Sequence, residues 1–294
     1  MYGLGTLRIC TCTSTYVTDE VRIAHVSLRG HLLAMVSWDS ADSAEPGLYC
    51  LGRPRPLLRG QLHVWSALTS PLWACYQLLL CTTVEMALAV VLSLFGTLWL
   101  FYVSGSYHTV RYTPLQEMLI SKLDFIGIFL QVGFSMLPTY VVLLPRKTAW
   151  AVVASLGTSV LMGAWLTFSD VHVSRGFITA VYIAQGSLNL IPLATSAIYP
   201  RSVLAMLLPS EVYLLLAAAV CYLSGSQIYA RASPALWPRT FGYHELWHLL
   251  VIVASLCTWS VNNSVLCRAE GEAGAGARAG GGAPGEALLY KELR

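Results

Sequence analysis

Residues 85–105 read EMALAVVLSLFGTLWLFYVSG, and this stretch decides the fold. Its one charge, Glu85, stands at the start, and the remainder up to Gly105 carries none. A helix of about 20 mostly apolar residues is what crosses the hydrocarbon core of a bilayer. Runs of the same kind follow at 123–144, 148–168, 177–196, 202–223 and 243–265. A further run, 64–84, abuts Glu85 with no glycine or proline between them, which places a tight turn near Thr82–Glu85. The expected architecture is all-α: a polytopic membrane protein built as a seven-transmembrane helix bundle.

Composition agrees. The 294 residues are 56% hydrophobic and 11% charged, with a mean hydropathy of +0.61. A soluble domain carries about 25% charged residues, so lipid rather than a charged shell covers the apolar surface. A net charge of +3, scattered along the chain, excludes nucleic acid as a partner and leaves membrane lipid. Cys75, Cys81, Cys221 and Cys257 lie in apolar runs and read as packing residues. Cys10 and Cys12 have no second pair at zinc-ligand spacing. Residues 1–18 lack the sustained apolar core of a signal peptide.

The sequence divides into an atypical N-terminal region (1–62), a membrane domain (63–266) and a Gly/Ala-rich tail (267–294) expected to be disordered. Orientation follows from basic residues in short flanks. Arg53, Arg55, Arg59, Arg111, Lys122, Arg175, Arg231 and Arg239 share one side, against Arg146, Lys147, Arg201 and Arg268 on the other. The excess puts the N-terminus in the cytosol.

Three histidines then fall together. His108 ends the second span, while His244 and His248 open the last, and span parity puts both places on one side whatever 64–84 does. Spacing of i and i+4 sets His244 and His248 on one helix face. A lone histidine at a helix end commonly sits among headgroups. A pair on one face with a third on the same side can hold Zn²⁺ with a fourth position open, the arrangement of catalytic zinc. Ser104 lies one turn before His108, and Asp124 enters the next span in the same layer. A carboxylate there suits orienting a ligand histidine or deprotonating a water. His244-Glu245-Leu246-Trp247-His248 also fits the protease pattern HExxH, in which the glutamate is the base. No later span exists to carry that pattern's usual third ligand. Glu211, after Pro209, is expected deep in the sixth span. Gln185, Ser187 and Asn189 are expected as interhelical hydrogen-bond partners, and Asp170 and His172 in an interfacial connection.

The stretches SGSYHTVR (104–111), LDFIGIF (123–129) and GYHELWHLLV (242–251) resemble the three signature regions of the hemolysin III family. That family stands with the progestin and adipoQ receptors (PAQR) and, more remotely, the alkaline ceramidases. CYLSGSQIY (221–229) is similar to the family's sixth-span ending, so the resemblance covers about 85–265 in order. It implies seven helices, a cytosolic N-terminus and zinc near the cytosolic face on His108, His244 and His248, with Ser104 and Asp124 beside it. It also implies two activities, a zinc-dependent hydrolase of a lipid amide or ester in the manner of a ceramidase, or a receptor or membrane-remodelling protein with structural zinc. The sequence departs from the family at Phe125, where histidine is common after the aspartate. It departs again in the first-span pattern of Glu, Asn and Thr-His, of which Asp19–Ala24 and Gly30–Ala34 look like a remnant, with Ile23 for the Asn and Ser27 for the His. Residues 37–62 read as foreign sequence interrupting that span.

Overall fold

The computed structural model describes residues 56–169, 174–189, 206–234, 236–237 and 240–279. These form α1 (Leu57–Leu79), α2 (Val84–Thr109), α3 (Pro114–Phe134), α4 (Leu137–Leu143), α5 (Arg146–Phe168), α6 (Arg175–Leu188), α7 (Pro209–Arg231) and α8 (Tyr243–Ala279). Among the described residues the β-structure is one isolated bridge, Trp237 with Phe241. Five segments are long and apolar enough to cross a membrane: Val84–Thr109, Pro114–Leu143, Arg146–Phe168, Pro209–Arg231 and Tyr243–Ala275. With α1 and the shorter apolar Gly176–Leu188 of α6, they make an all-α, multi-pass membrane protein.

The bundle encloses polar groups among its apolar core and exposes large apolar side chains. On α1, His63, Ser70 and Gln77 are buried while Trp65, Leu68, Leu72 and Leu79 are exposed. Polar residues seven apart stay near one face of a helix, and the same spacing recurs at Thr97 and Ser104 of α2, Asp124 and Gln131 of α3, and His248, Ser255 and Asn262 of α8. Four of them, Thr97, Gln131, Ser255 and Asn262, take part in side-chain bonds between helices. Thr97 donates to Gln131 Oε1 (2.9 Å), whose amide donates to Ser255 Oγ (2.9 Å). Thr139 donates to Asn262 (2.7 Å), whose amide donates to the Ser135 carbonyl (2.8 Å). In lipid, apolar contact gives little drive for helices to associate, and such bonds supply direction. Gln185 and Asn189 of α6 reach the α3 carbonyls of Phe129 and Val132 at 3.0 Å each, as expected. Ser187 does not, because its hydroxyl bonds back to Ile183 of its own helix. Cys75, Cys81, Cys221 and Cys257 are free thiols.

Several boundaries differ from the hydropathy runs. The reversal between α1 and α2 spans Leu80–Thr83, and Thr83 accepts the Met86 N–H (3.3 Å) as the cap of α2. A capping threonine makes glycine and proline unnecessary there. The second long run starts at Pro114, before residue 123, through a capping box between Thr113 and Gln116. It breaks after Phe134, where Pro138 has no N–H to give to the preceding turn. The sixth span is Pro209–Arg231 rather than 202–223, since Pro209 occupies the first turn, where proline is best tolerated. Glu211 is therefore not deep in the membrane. It accepts the Leu208 N–H (2.8 Å) and pairs with Arg268 of α8 at the end opposite the histidines.

Neither domain boundary coincides with a break. α1 begins at Leu57, so residue 62 lies inside a helix. α8 runs unbroken to Ala279, carrying helix into the tail expected to be disordered. A helix already nucleated extends at little cost through Ala, Glu and Arg. Asp19–Ala34, Asp170, His172, Arg53, Arg55, Arg201 and Arg239 lie outside the described residues.

Candidate metal centre

The last turn of α2 and the first turns of α8 meet at one end of the bundle and bring His108, His244 and His248 together. One donor atom from each lies within 4.8 Å of the others. Ring centroids are 5.1 Å apart for His108–His244, 5.2 Å for His108–His248 and 4.6 Å for His244–His248. His108 and His248 are buried. Neutral imidazoles are donors suited to a transition-metal ion. Tetrahedral nitrogens about 2.0–2.1 Å from a zinc ion stand roughly 3.4 Å apart, so a set gathered within 4.8 Å is slightly open for such an ion and close enough to hold a metal.

The surroundings prepare one ligand. His248 Nδ1 lies 3.0 Å from the backbone carbonyl of Arg59 on α1. A carbonyl only accepts, so Nδ1 carries the proton and Nε2 keeps its lone pair for a metal. Asp124 Oδ2 approaches His108 Nε2 at 3.9 Å, beyond hydrogen-bond length, and its side chain keeps 20% exposure. Ser104 is buried, and its hydroxyl faces Asp124 while standing short of a regular hydrogen bond. Tyr229 of α7 sets its ring edge-on to His244, 5.8 Å between centroids.

Glu245 has a different task from the one HExxH suggests. It accepts the Gly242 N–H (2.6 Å), capping α8, and pairs with Arg59 Nε at 2.6 Å, its side chain 1% exposed. A carboxylate held by a cap and a half-buried guanidinium is already engaged, so the protease reading loses its central residue.

Two site residues were not singled out from sequence. Arg59 and His63 stand one turn apart on α1, where polar residues lowered the hydropathy of the span and disguised its start. Residue type is a usable signal here, because His63, Ser70 and Gln77 recur every seven positions in a chain that must cross lipid. α1 can press against α2 because Gly60 and Gly105 face the crossing. A Cβ on Gly105 would meet Val64 Cγ2 at 3.0 Å and Val64 N at 3.1 Å.

Residues 51–259 match the family described as Haemolysin-III related. The chain belongs to that family. The match starts after Asp19–Ala34 and takes in all of α1, so Leu57–Leu62 belong to the haemolysin-III related region rather than to foreign sequence.

Proposed function

We propose that this haemolysin-III related protein is a zinc-dependent hydrolase of a lipid amide or ester, with the histidine layer and the N-terminus on the cytosolic side. The observation that carries this reading is Asp124: a part-exposed carboxylate 3.9 Å from a buried member of a three-histidine set. His108, His244 and His248 hold the ion, and the Arg59 carbonyl fixes the tautomer of His248. Zinc at such a site supplies Lewis acidity that activates water at neutral pH and polarises a carbonyl. Asp124 takes the proton of the attacking water and returns it to the departing amine or alcohol, so the acyl C–N or C–O bond breaks to give a fatty acid and a neutral leaving group. The Ser104 hydroxyl donates to the oxyanion that develops at the carbonyl.

A structural role for the ion, in a receptor or membrane-remodelling protein, is favoured by one feature: the ligands join the ends of α2 and α8 and would clamp them. Metal content and turnover of a ceramide in detergent micelles separate the two. The hydrolase reading expects about one zinc per chain, loss of zinc in H244A, and retained zinc with turnover down by about 100-fold in D124N. It is sunk if D124N keeps both zinc and full turnover. Wild-type protein that needs zinc to fold yet releases no fatty acid supports the clamp.

A further inference from the structure

The metal set and its neighbours leave one buried group unused. His63 is 2% exposed, and neither Nδ1 nor Nε2 has a hydrogen-bond partner. Among the described residues it is the one side chain with two such atoms. Gln185 and Asn189 each leave an amide oxygen unbonded, but their amide nitrogens donate to carbonyls. Folded proteins rarely leave buried polar atoms unsatisfied, because each costs about 1–3 kcal/mol.

Position sets His63 beside the histidine trio. The His63 ring lies parallel on His248, with centroids 3.9 Å apart and planes at 12°. Phe101 closes another side at 5.1 Å and contributes no polar atom. One turn earlier on the same helix, Arg59 already bonds His248 through its carbonyl. His63 stands outside the trio whose donor atoms gather within 4.8 Å, so it is not a fourth member of that set. A phenylalanine would supply the stack equally well, and an imidazole adds only its nitrogens.

We propose that His63 is a substrate-contacting residue, whose ring nitrogens hydrogen-bond the polar group of a ligand lodged against His108, His244 and His248. The inference rests on the metal reading above and adds a recognition element from α1. The ligand class is a small oxygen-rich head, such as a carboxylate, amide or hydroxamate, carried on a lipid or free. His63 meets it from the stacked side of His248, while Ser104 and Asp124 meet it from α2 and α3.

The test uses full-length protein in detergent, loaded with Co²⁺, with acetohydroxamate as probe and the cobalt absorption bands as readout. The pair H63F and H63Q separates stack from nitrogens, since H63F keeps a ring and H63Q keeps hydrogen bonding. Both variants are expected to take up cobalt as wild type does. H63F should bind acetohydroxamate about tenfold or more weakly, the loss of one charge-assisted hydrogen bond. H63Q should stay within about threefold of wild type, by the same measure. Should H63F not fold, H63L against H63Q makes the same comparison. Equal hydroxamate affinity in wild type and H63F overturns the proposal, and so does loss of cobalt in a folded H63F. Wild type that takes up no cobalt overturns it together with the metal reading. Cobalt and hydroxamate binding without lipid cleavage removes only the hydrolase.

Discussion

Replacing Arg59 with Met removes the guanidinium that Glu245 faces and leaves the rest of α1 in place. Glu245 Oε1 sits 2.6 Å from Arg59 Nε, with side-chain exposures of 11% for the arginine and 1% for the glutamate. Breaking a buried pair from one side leaves an uncompensated charge, at a cost of about 3–5 kcal/mol. Methionine recovers part of the packing of the arginine stem, so the lower half of that range is expected. E245Q alone strands the arginine instead, but it keeps an oxygen to accept the Gly242 N–H. R59M/E245Q removes both charges together and should cost less than the sum of the single changes by about 1.5 kcal/mol or more. The assay is equilibrium unfolding in mixed dodecyl maltoside and SDS micelles, followed by far-UV circular dichroism. Metal content is measured in parallel. The group that holds His248 is the backbone carbonyl of residue 59, which methionine also has, so folded R59M should retain its metal. A cost under about 1 kcal/mol for R59M would refute the reasoning, since that is the worth of an exposed pair. Additive single and double changes would refute it equally.

Three further outcomes are expected in the same unfolding assay. Q131L cuts the links from Thr97 and to Ser255 and should cost about 1–3 kcal/mol, whereas S187A, whose hydroxyl serves only its own helix, should cost under about 0.5 kcal/mol. E211A removes the cap at Leu208 and the partner of Arg268, destabilising by about 1–3 kcal/mol while metal content measured by mass spectrometry stays unchanged. G105V forces a side chain into Val64 at the crossing of α1 and α2, and should cost about 1–3 kcal/mol.

Hydropathy located the long apolar segments because lipid imposes length and apolarity on them. It failed where a span hides polar residues inside the bundle. α1 carries Arg59, Gln61, His63, Ser70 and Gln77, so a search for apolar runs starts it late and never weighs His63. Span ends were displaced for a related reason. An apolar run reads straight through Pro209, and its missing N–H is what marks the start of a helix there. The sixth span and the depth of Glu211 moved together once that start was fixed. The histidine trio was legible because i, i+4 spacing and span parity are topological facts that need no side-chain coordinates. Arg59 and Glu245 were not, since they are 186 residues apart and neither spacing nor composition reports a long-range pair.

The bonds that Thr97 of α2, Gln131 of α3 and Ser255 and Asn262 of α8 make across helices have a mechanical meaning. Sliding one of these helices by a single turn, about 5.4 Å, sets its hydroxyls and amides against leucine and valine, with no water to accept them. Piston motion along the bundle axis is thereby blocked, as teeth block a rack. Rotation or tilt of the outer α5, whose long face meets lipid, breaks few such bonds. A ligand that reaches the histidine layer from the bilayer would enter by parting helices sideways rather than by driving one past another.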